Sequence, residues 1–257
     1  MSSHSASSTS ASPHEVASAD GTPIVYDLYE NHSIDAVVII PGFWRERRHP
    51  AILRLARLLG DRGYRVVACD LRGHGESGGT FGFNLHEHED VAAVIGDLLA
   101  RTRTTAVTLI GFSYGGAIAV STAARHALPV RALLLISPVA DFSRLSPHVN
   151  PFTIHRHLAL GQALRKPRFA WRFARSPKLS ALDDIAGVHA PLCLIHVKND
   201  WLVDHGHSVL LYERASEPKE LHVLDIPGNY HADRIFDVAG PRLEEIVARF
   251  VAETTRL

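Results

Sequence analysis

Short runs of nearly continuous apolar residues recur along the chain at positions 36–40, 65–70, 106–110, 131–136, 192–197 and 221–226. Runs of this length predict strands covered on both faces, because a half-exposed strand would alternate apolar and polar positions with a period of two. Stretches with helical spacing separate most of them, at 50–59, 85–101, 116–126 and 207–215, and a further one at 241–253 closes the chain. Strand and helix alternating in this way imply a mostly parallel, doubly wound α/β sheet. Ahead of the first run, positions 16–19 and 24–29 flank Asp20-Gly21-Thr22-Pro23 and predict a hairpin. The pattern as a whole predicts eight strands with flanking helices.

Two intervals depart from it. Residues 1–13 are rich in Ser and Ala and almost devoid of large apolar side chains. Such a segment cannot offset its own ordering entropy, so a disordered tail over 1–15 is expected, with folding from about Val16. Between 139 and 190 no buried strand is predicted. Pro147, Pro151 and Pro167 break this interval into short amphipathic patches such as 154–164. A connection this long inside a compact domain predicts a small helical lid or a binding surface. The expected organisation is a tail (1–15), a core (16–138), a lid insertion (139–190) and the rest of the core (191–257). Between Asp141 and Ser180 the chain carries Arg144, Arg156, Arg165, Lys166, Arg168, Arg172, Arg175 and Lys178 against the single acid Asp141. Two readings stay open for these cations: a solvated face over the lid's own core, or a surface for an anionic substrate or acidic partner.

Candidate chemistry centres on Gly111-Phe112-Ser113-Tyr114-Gly115, which joins the run 106–110 to the small-residue helical stretch 116–126. A serine at a sharp turn from strand to helix is held in a strained backbone conformation, and glycines two positions away leave room for the turn. Ser113 is therefore the candidate nucleophile. A serine hydroxyl is a weak nucleophile near neutral pH. It needs an imidazole to take its proton and a carboxylate to fix that imidazole's tautomer.

Other motifs stand in the same chain order: Pro41-Gly42-Phe43-Trp44 after the run 36–40, Asp70-Leu71-Arg72-Gly73-His74-Gly75-Glu76-Ser77 after 65–70, and later loops carrying Asp200 and His231. With the serine elbow, these make the chain resemble the α/β-hydrolase-fold family over about residues 16–255, in particular its serine aminopeptidase-like, monoglyceride-lipase-like and feruloyl-esterase-like branch. The resemblance implies a mostly parallel eight-stranded sheet and the order serine, acid, histidine. It points to Asp200, just beyond the run ending at Val197, as the acid. Asp204 is a rival better explained as a helix cap, and Asp141 is another because some members place the acid after the earlier strand. Among the 17 histidines, His231 alone combines the order with the loop. The resemblance also implies an oxyanion hole from the backbone N–H groups of Phe43 and Tyr114, and a structural role for His74. Many relatives have His-Gly where this chain has Pro41-Gly42, a change that leaves the main-chain donor of Phe43 in place. Trp44 has two readings, a wall of the acyl pocket or packing for the lid.

Composition trims the alternatives. The 27 basic and 27 acidic residues cancel, so there is no global field for nucleic acid or a membrane surface. No apolar run reaches the roughly 20 residues of a membrane span, and a cytoplasmic protein is expected. Cys69 and Cys193 each fall in an apolar run and read as buried free thiols. His86-Glu87-His88-Glu89 reads as a polar helix start, because alternate helical positions diverge too far to share a metal. His155 and His157 fail on the same ground. Gly73 and Gly75 lack the rest of a dinucleotide fingerprint, and no cofactor or metal is implied. The expected function is a serine carboxylesterase for small to medium acyl esters, working through an acyl-enzyme on Ser113. Two alternatives stand: a thioester hydrolase or acyltransferase acting on acyl groups bound to coenzyme A or acyl carrier protein, and a non-catalytic ligand-binding member of the fold.

Overall fold

A computed structural model of the chain describes residues 11–145, 168 and 178–256. Eight strands form one sheet: β1 (Ala11–Ala17), β2 (Pro23–Tyr29), β3 (Asp35–Ile40), β4 (Arg65–Cys69), β5 (Ala106–Phe112), β6 (Val130–Ile136), β7 (Leu192–Val197) and β8 (Lys219–Leu224). Their spatial order is β1-β2-β4-β3-β5-β6-β7-β8. β2 runs antiparallel to both β1 and β4, and every pairing from β4 through β3 to β8 is parallel. The fold is thus an eight-stranded, mostly parallel α/β sheet, as the alternation predicted.

Helices cover both faces. α1 (Pro50–Gly60) buries Ile52, Leu55 and Leu59. It shares a core with Ile39, Ile110 and Ile195 of the sheet and with Leu243, Val247 and Val251 of the last helix. α2 (Glu87–Arg101) and α3 (Tyr114–Arg125) pack on the other face, with Val91, Ile95 and Ile118 against Val38, Leu109 and Leu133. After a short helix α4 (Ala181–Asp184) come α5 (Gly206–Arg214) and α6 (Phe236–Thr254). Side chains buried on both sides explain why β3 to β7 read as unbroken apolar runs.

Several boundaries differ from the sequence reading. β1 begins at Ala11, inside the segment expected to be a disordered tail. Its order comes from backbone pairing with β2 along its whole length and from the His14 ring stacked on Tyr26 at 5.2 Å, neither of which composition reveals. Pro13 is tolerated because β1 is an edge strand. β8 starts two residues before the run 221–226 and is not covered on both faces: it is the opposite edge, mostly half-buried, with Val223 39% exposed. α6 starts at Phe236, five residues before Pro241, with a kink at Ala239. At the start of α2 the expected polar face is buried: Glu87 turns inward and its carboxylate accepts from the N–H of Gly82 at 2.6 Å. Most of the expected lid insertion lies outside the described residues. Its described ends are a 3₁₀ turn at Phe142–Arg144 and α4 followed by a second 3₁₀ turn at Ile185–Gly187.

Two buried histidines make stability depend on pH. Burial holds His74 and His88 down to about 4, against an ordinary 6.5. The unfolded chain therefore takes up protons between about pH 6.5 and 4 that the folded chain refuses. Their contribution to stability is full above that window and is lost as pH falls through it. Thermal midpoints measured across the window should fall with pH, and His88→Phe should flatten the slope. A midpoint that holds constant would contradict neutral burial of these rings.

Candidate active site

β5 runs directly into Ser113, whose φ of 51° and ψ of −114° lie outside the regions an L-residue favours. Such a conformation costs on the order of 1–3 kcal/mol and persists only where its surroundings hold it. Here the Ser113 N–H donates to the Ile136 carbonyl at 2.8 Å, and its own carbonyl accepts from Gly116 at 3.0 Å and Val139 at 3.2 Å. The flanking glycines are sterically required. A Cβ at Gly111 would lie 2.5 Å from the Gly115 carbonyl oxygen, and one at Gly115 would lie 2.4 Å from that of Ile40. The elbow thus raises Ser113 at the N-terminus of α3, where unsatisfied N–H groups and the helix dipole favour an anion.

Two loops at the same end of the sheet bring Asp200 and His231 to this serine. Asp200 follows β7, and its Oδ1 accepts from the N–H groups of Leu202 at 2.9 Å and Val203 at 3.0 Å. Burial pushes its carboxyl pKa up, but its interactions with His231 and His196 outweigh this and hold it below the usual carboxylate range. An ionised Asp200 fixes the imidazole tautomer: Nδ1–H of His231 donates to Asp200 Oδ2 at 2.8 Å. Nε2 is then the acceptor for the Ser113 hydroxyl at 2.7 Å. The rival acids are occupied elsewhere. Asp141 accepts from the N–H and hydroxyl of Ser143, and Asp204 accepts from Gly206 N–H ahead of α5 with its side chain 77% exposed.

The Pro41-Gly42-Phe43 loop lies against the serine, since a Cβ on Gly42 would fall 3.3 Å from the Ser113 Cβ. Tyr114 opens α3, and its phenol accepts from the Asn84 N–H at 2.7 Å. The Phe43 ring packs on Phe81 at 4.7 Å and on Trp44 at 4.6 Å. Farther along the loop, Arg47 donates its N–H to Asp70 at 2.7 Å and its guanidinium pairs with Asp27, Asp70 and Glu76. This buried ionic knot ties the loop after β3 to the one after β4. His74 sits in the latter, donating to the Arg72 carbonyl at 3.0 Å and meeting Phe43 edge-on.

A cleft of about 160 Å³ opens beside Ser113 and His231, and Phe43, Trp201, Tyr230, Arg45, Asn229 and Arg234 are among the residues that line it. Trp201, rather than Trp44, lines it. Three residues near the site had no sequence signal. His196 is fully buried in β7 and lies 3.5 Å from Asp200, its Nε2–H directed to the Val203 carbonyl at 2.9 Å. Ser137 accepts from the N–H of Ala232, next to His231, at 3.3 Å. The Trp201 ring stands edge-on to His231 at 6.4 Å. Each acts through a loop contact that spacing along the chain does not expose.

Of the basic residues between Asp141 and Ser180, the described ones face partners within the chain. Arg144 pairs with Asp141, Arg168 donates to the carbonyls of Ser77 and Gly79, and Lys178 lies over the Phe83 ring. Arg156, Arg165, Lys166, Arg172 and Arg175, like His155 and His157, lie outside the described residues. No helix among the described residues is long and apolar enough to cross a membrane.

Comparison with known proteins agrees with the architecture. The profile of the α/β hydrolase fold matches residues 35–182. A monoacylglycerol lipase of Mycolicibacterium smegmatis is 24% identical, aligned over 87% of this chain and 91% of its own length. Lysophosphatidylserine lipase ABHD12 of Mus musculus is 26% identical over 88% of this chain, which spans 58% of that relative. Among solved structures, the Pyrococcus furiosus esterase Pf2001 superposes with a TM-score of 0.78 at 22% identity, covering 96% of this chain and 92% of the esterase. Sheet order, elbow and profile match together place this chain in the α/β-hydrolase fold family.

Proposed function

We propose that this protein is a serine hydrolase of the esterase and lipase type, cleaving carboxylic esters of small to medium acyl groups. The observation that carries the reading is the unbroken relay from Asp200 through His231 to the hydroxyl of Ser113, with contacts of 2.8 and 2.7 Å, on a strained elbow at a helix N-terminus. In the proposed reaction His231 takes the Ser113 proton as Oγ attacks the ester carbonyl. The backbone N–H groups of Phe43 and Tyr114 stabilise the oxyanion. His231 then protonates the departing alcohol, and water, activated by the same imidazole, releases the acid from the acyl-serine. Asp200 holds the tautomer throughout. The names of the two lipase relatives support an ester as substrate.

Cleft size supports short acyl groups. About 160 Å³ is well below the roughly 300–1,000 Å³ of sites that enclose drug-sized ligands. A series of p-nitrophenyl esters and monoacylglycerols of graded chain length, run beside acyl-CoA substrates, should show kcat/KM highest for short esters. Turnover confined to acyl-CoA would move the assignment to a thioester hydrolase. Absence of turnover on every substrate, together with no labelling by a fluorophosphonate probe, would leave a non-catalytic binder.

A further inference from the structure

At the β8 edge of the sheet lies a group of donor atoms that the hydrolytic relay does not use. β7 and β8 pair in a register that sets Cys193 beside Glu220 and Ile195 beside His222. Residues two apart on a strand, and neighbours in parallel register, share one face of a sheet. Cys193, Glu220 and His222 therefore lie together on the face that α6 covers, where Arg249 of that helix reaches Glu220. The Cys193 Sγ, a Glu220 carboxylate oxygen and a His222 ring nitrogen all lie within 4.8 Å of one another. Cys193 is fully buried, whereas the side chains of Glu220 and His222 are 30% and 28% exposed. The cluster is thus anchored on the inside and open on the outside.

We propose that Cys193, Glu220 and His222 form a binding site for a zinc-class divalent metal ion, with water as its fourth ligand. Thiolate, imidazole and carboxylate make a mixed donor set that suits zinc or cobalt and not magnesium or calcium, which take oxygen ligands. Bonds of about 2.0–2.3 Å place tetrahedral donors about 3–4 Å apart. Closing the set needs a shift of about 1 Å by two half-buried side chains on an edge strand. Arg249 competes for the carboxylate, donating to both Glu220 oxygens at 2.9 Å, yet it also holds Glu253 one turn along α6 at 2.9 Å. When the metal binds, Glu220 exchanges Arg249 for the ion, Arg249 keeps Glu253, and the Cys193 thiol gives its proton to solvent. Burial and the neighbouring Glu220 push that thiol well above its ordinary pKa. A dication at the sulfur supplies the positive charge that the buried thiolate lacks. The bound ion would cross-link β7 to β8, the strand that leads into the His231 loop.

Cobalt(II) is the direct probe, because coordination by thiolate gives a sulfur-to-metal charge-transfer band in the near ultraviolet. Purified metal-free protein titrated with Co²⁺ should develop this band at one equivalent and lose it to added Zn²⁺. The chain has two cysteines, and the other, Cys69, is buried in β4, so Cys193→Ser should abolish the band. His222→Ala should weaken Co²⁺ affinity by at least about tenfold, and Arg249→Gln, which removes the competing cation, should strengthen it. The last two variants alter part-exposed side chains, so the test stands even where Cys193→Ser folds poorly. The proposal is overturned by the absence of a charge-transfer band in the wild type, by a band that survives Cys193→Ser, or by affinities that ignore both His222→Ala and Arg249→Gln. None of these readouts depends on the hydrolytic reading.

Discussion

Ser113→Ala should lower kcat by about 10⁴- to 10⁶-fold while leaving the thermal midpoint close to that of the parent. The size follows from the proposed covalent step, which has no substitute nucleophile on the elbow. The fold should survive because the change removes one hydroxyl, and the backbone bonds that hold the elbow, to Ile136, Gly116 and Val139, do not involve the side chain. A fluorophosphonate probe should label the parent protein at Ser113 and leave the variant unlabelled. Turnover retained by the variant would remove Ser113 from the mechanism.

Asp200→Asn should reduce kcat by about 10⁴-fold. An amide at this position can turn its NH₂ toward His231, which favours the tautomer with its proton on Nε2 and leaves nothing to accept from Ser113. Asp204→Asn and Asp141→Asn should leave kcat within a small factor of the parent. Both carboxylates are spent on backbone N–H groups of nearby turns, and losing such a cap costs about 0.5–2 kcal/mol of stability. A rate collapse in Asp141→Asn with none in Asp200→Asn would place the working acid after β6 instead of β7.

The sheet was legible because β3 to β7 are buried on both faces, so their composition alone separates them from everything around them. Where burial is one-sided or absent, that signal fades. β1 gains its order from a backbone ladder that its Ser- and Ala-rich sequence does not advertise, and β8 is an edge whose exposed and half-buried positions blur its start. Ser113, Asp200 and His231, which the structure brings together, were readable because the elbow pentapeptide marks the first and the family order of serine, acid and histidine points to the loops that carry the other two. His196, Ser137 and Trp201 were not, since their relation to that group runs through a buried strand position and loop contacts. Glu87 shows the same limit from the other side. A glutamate in a run of polar residues reads as solvated, but a hydrogen bond from Gly82 lets it turn inward. Cys193 read as a plain buried thiol because Glu220 and His222 become its neighbours only through the β7–β8 register.

The atoms that meet at 2.7 Å between Ser113 and His231 belong to residues 118 positions apart. The elbow is held by contacts with β3, β6 and α3, whereas the imidazole it faces comes from the loop between β8 and α6. On the proposed mechanism, hydrolysis therefore requires the C-terminal third to be folded as well as the elbow. The same geometry sets the order of loss. Among the described residues β8 has a neighbouring strand on one side only, so its local opening is among the least costly excursions of the sheet. Opening there withdraws His231 while the centre of the sheet stays intact, so activity should vanish earlier in denaturant than the bulk of the secondary structure.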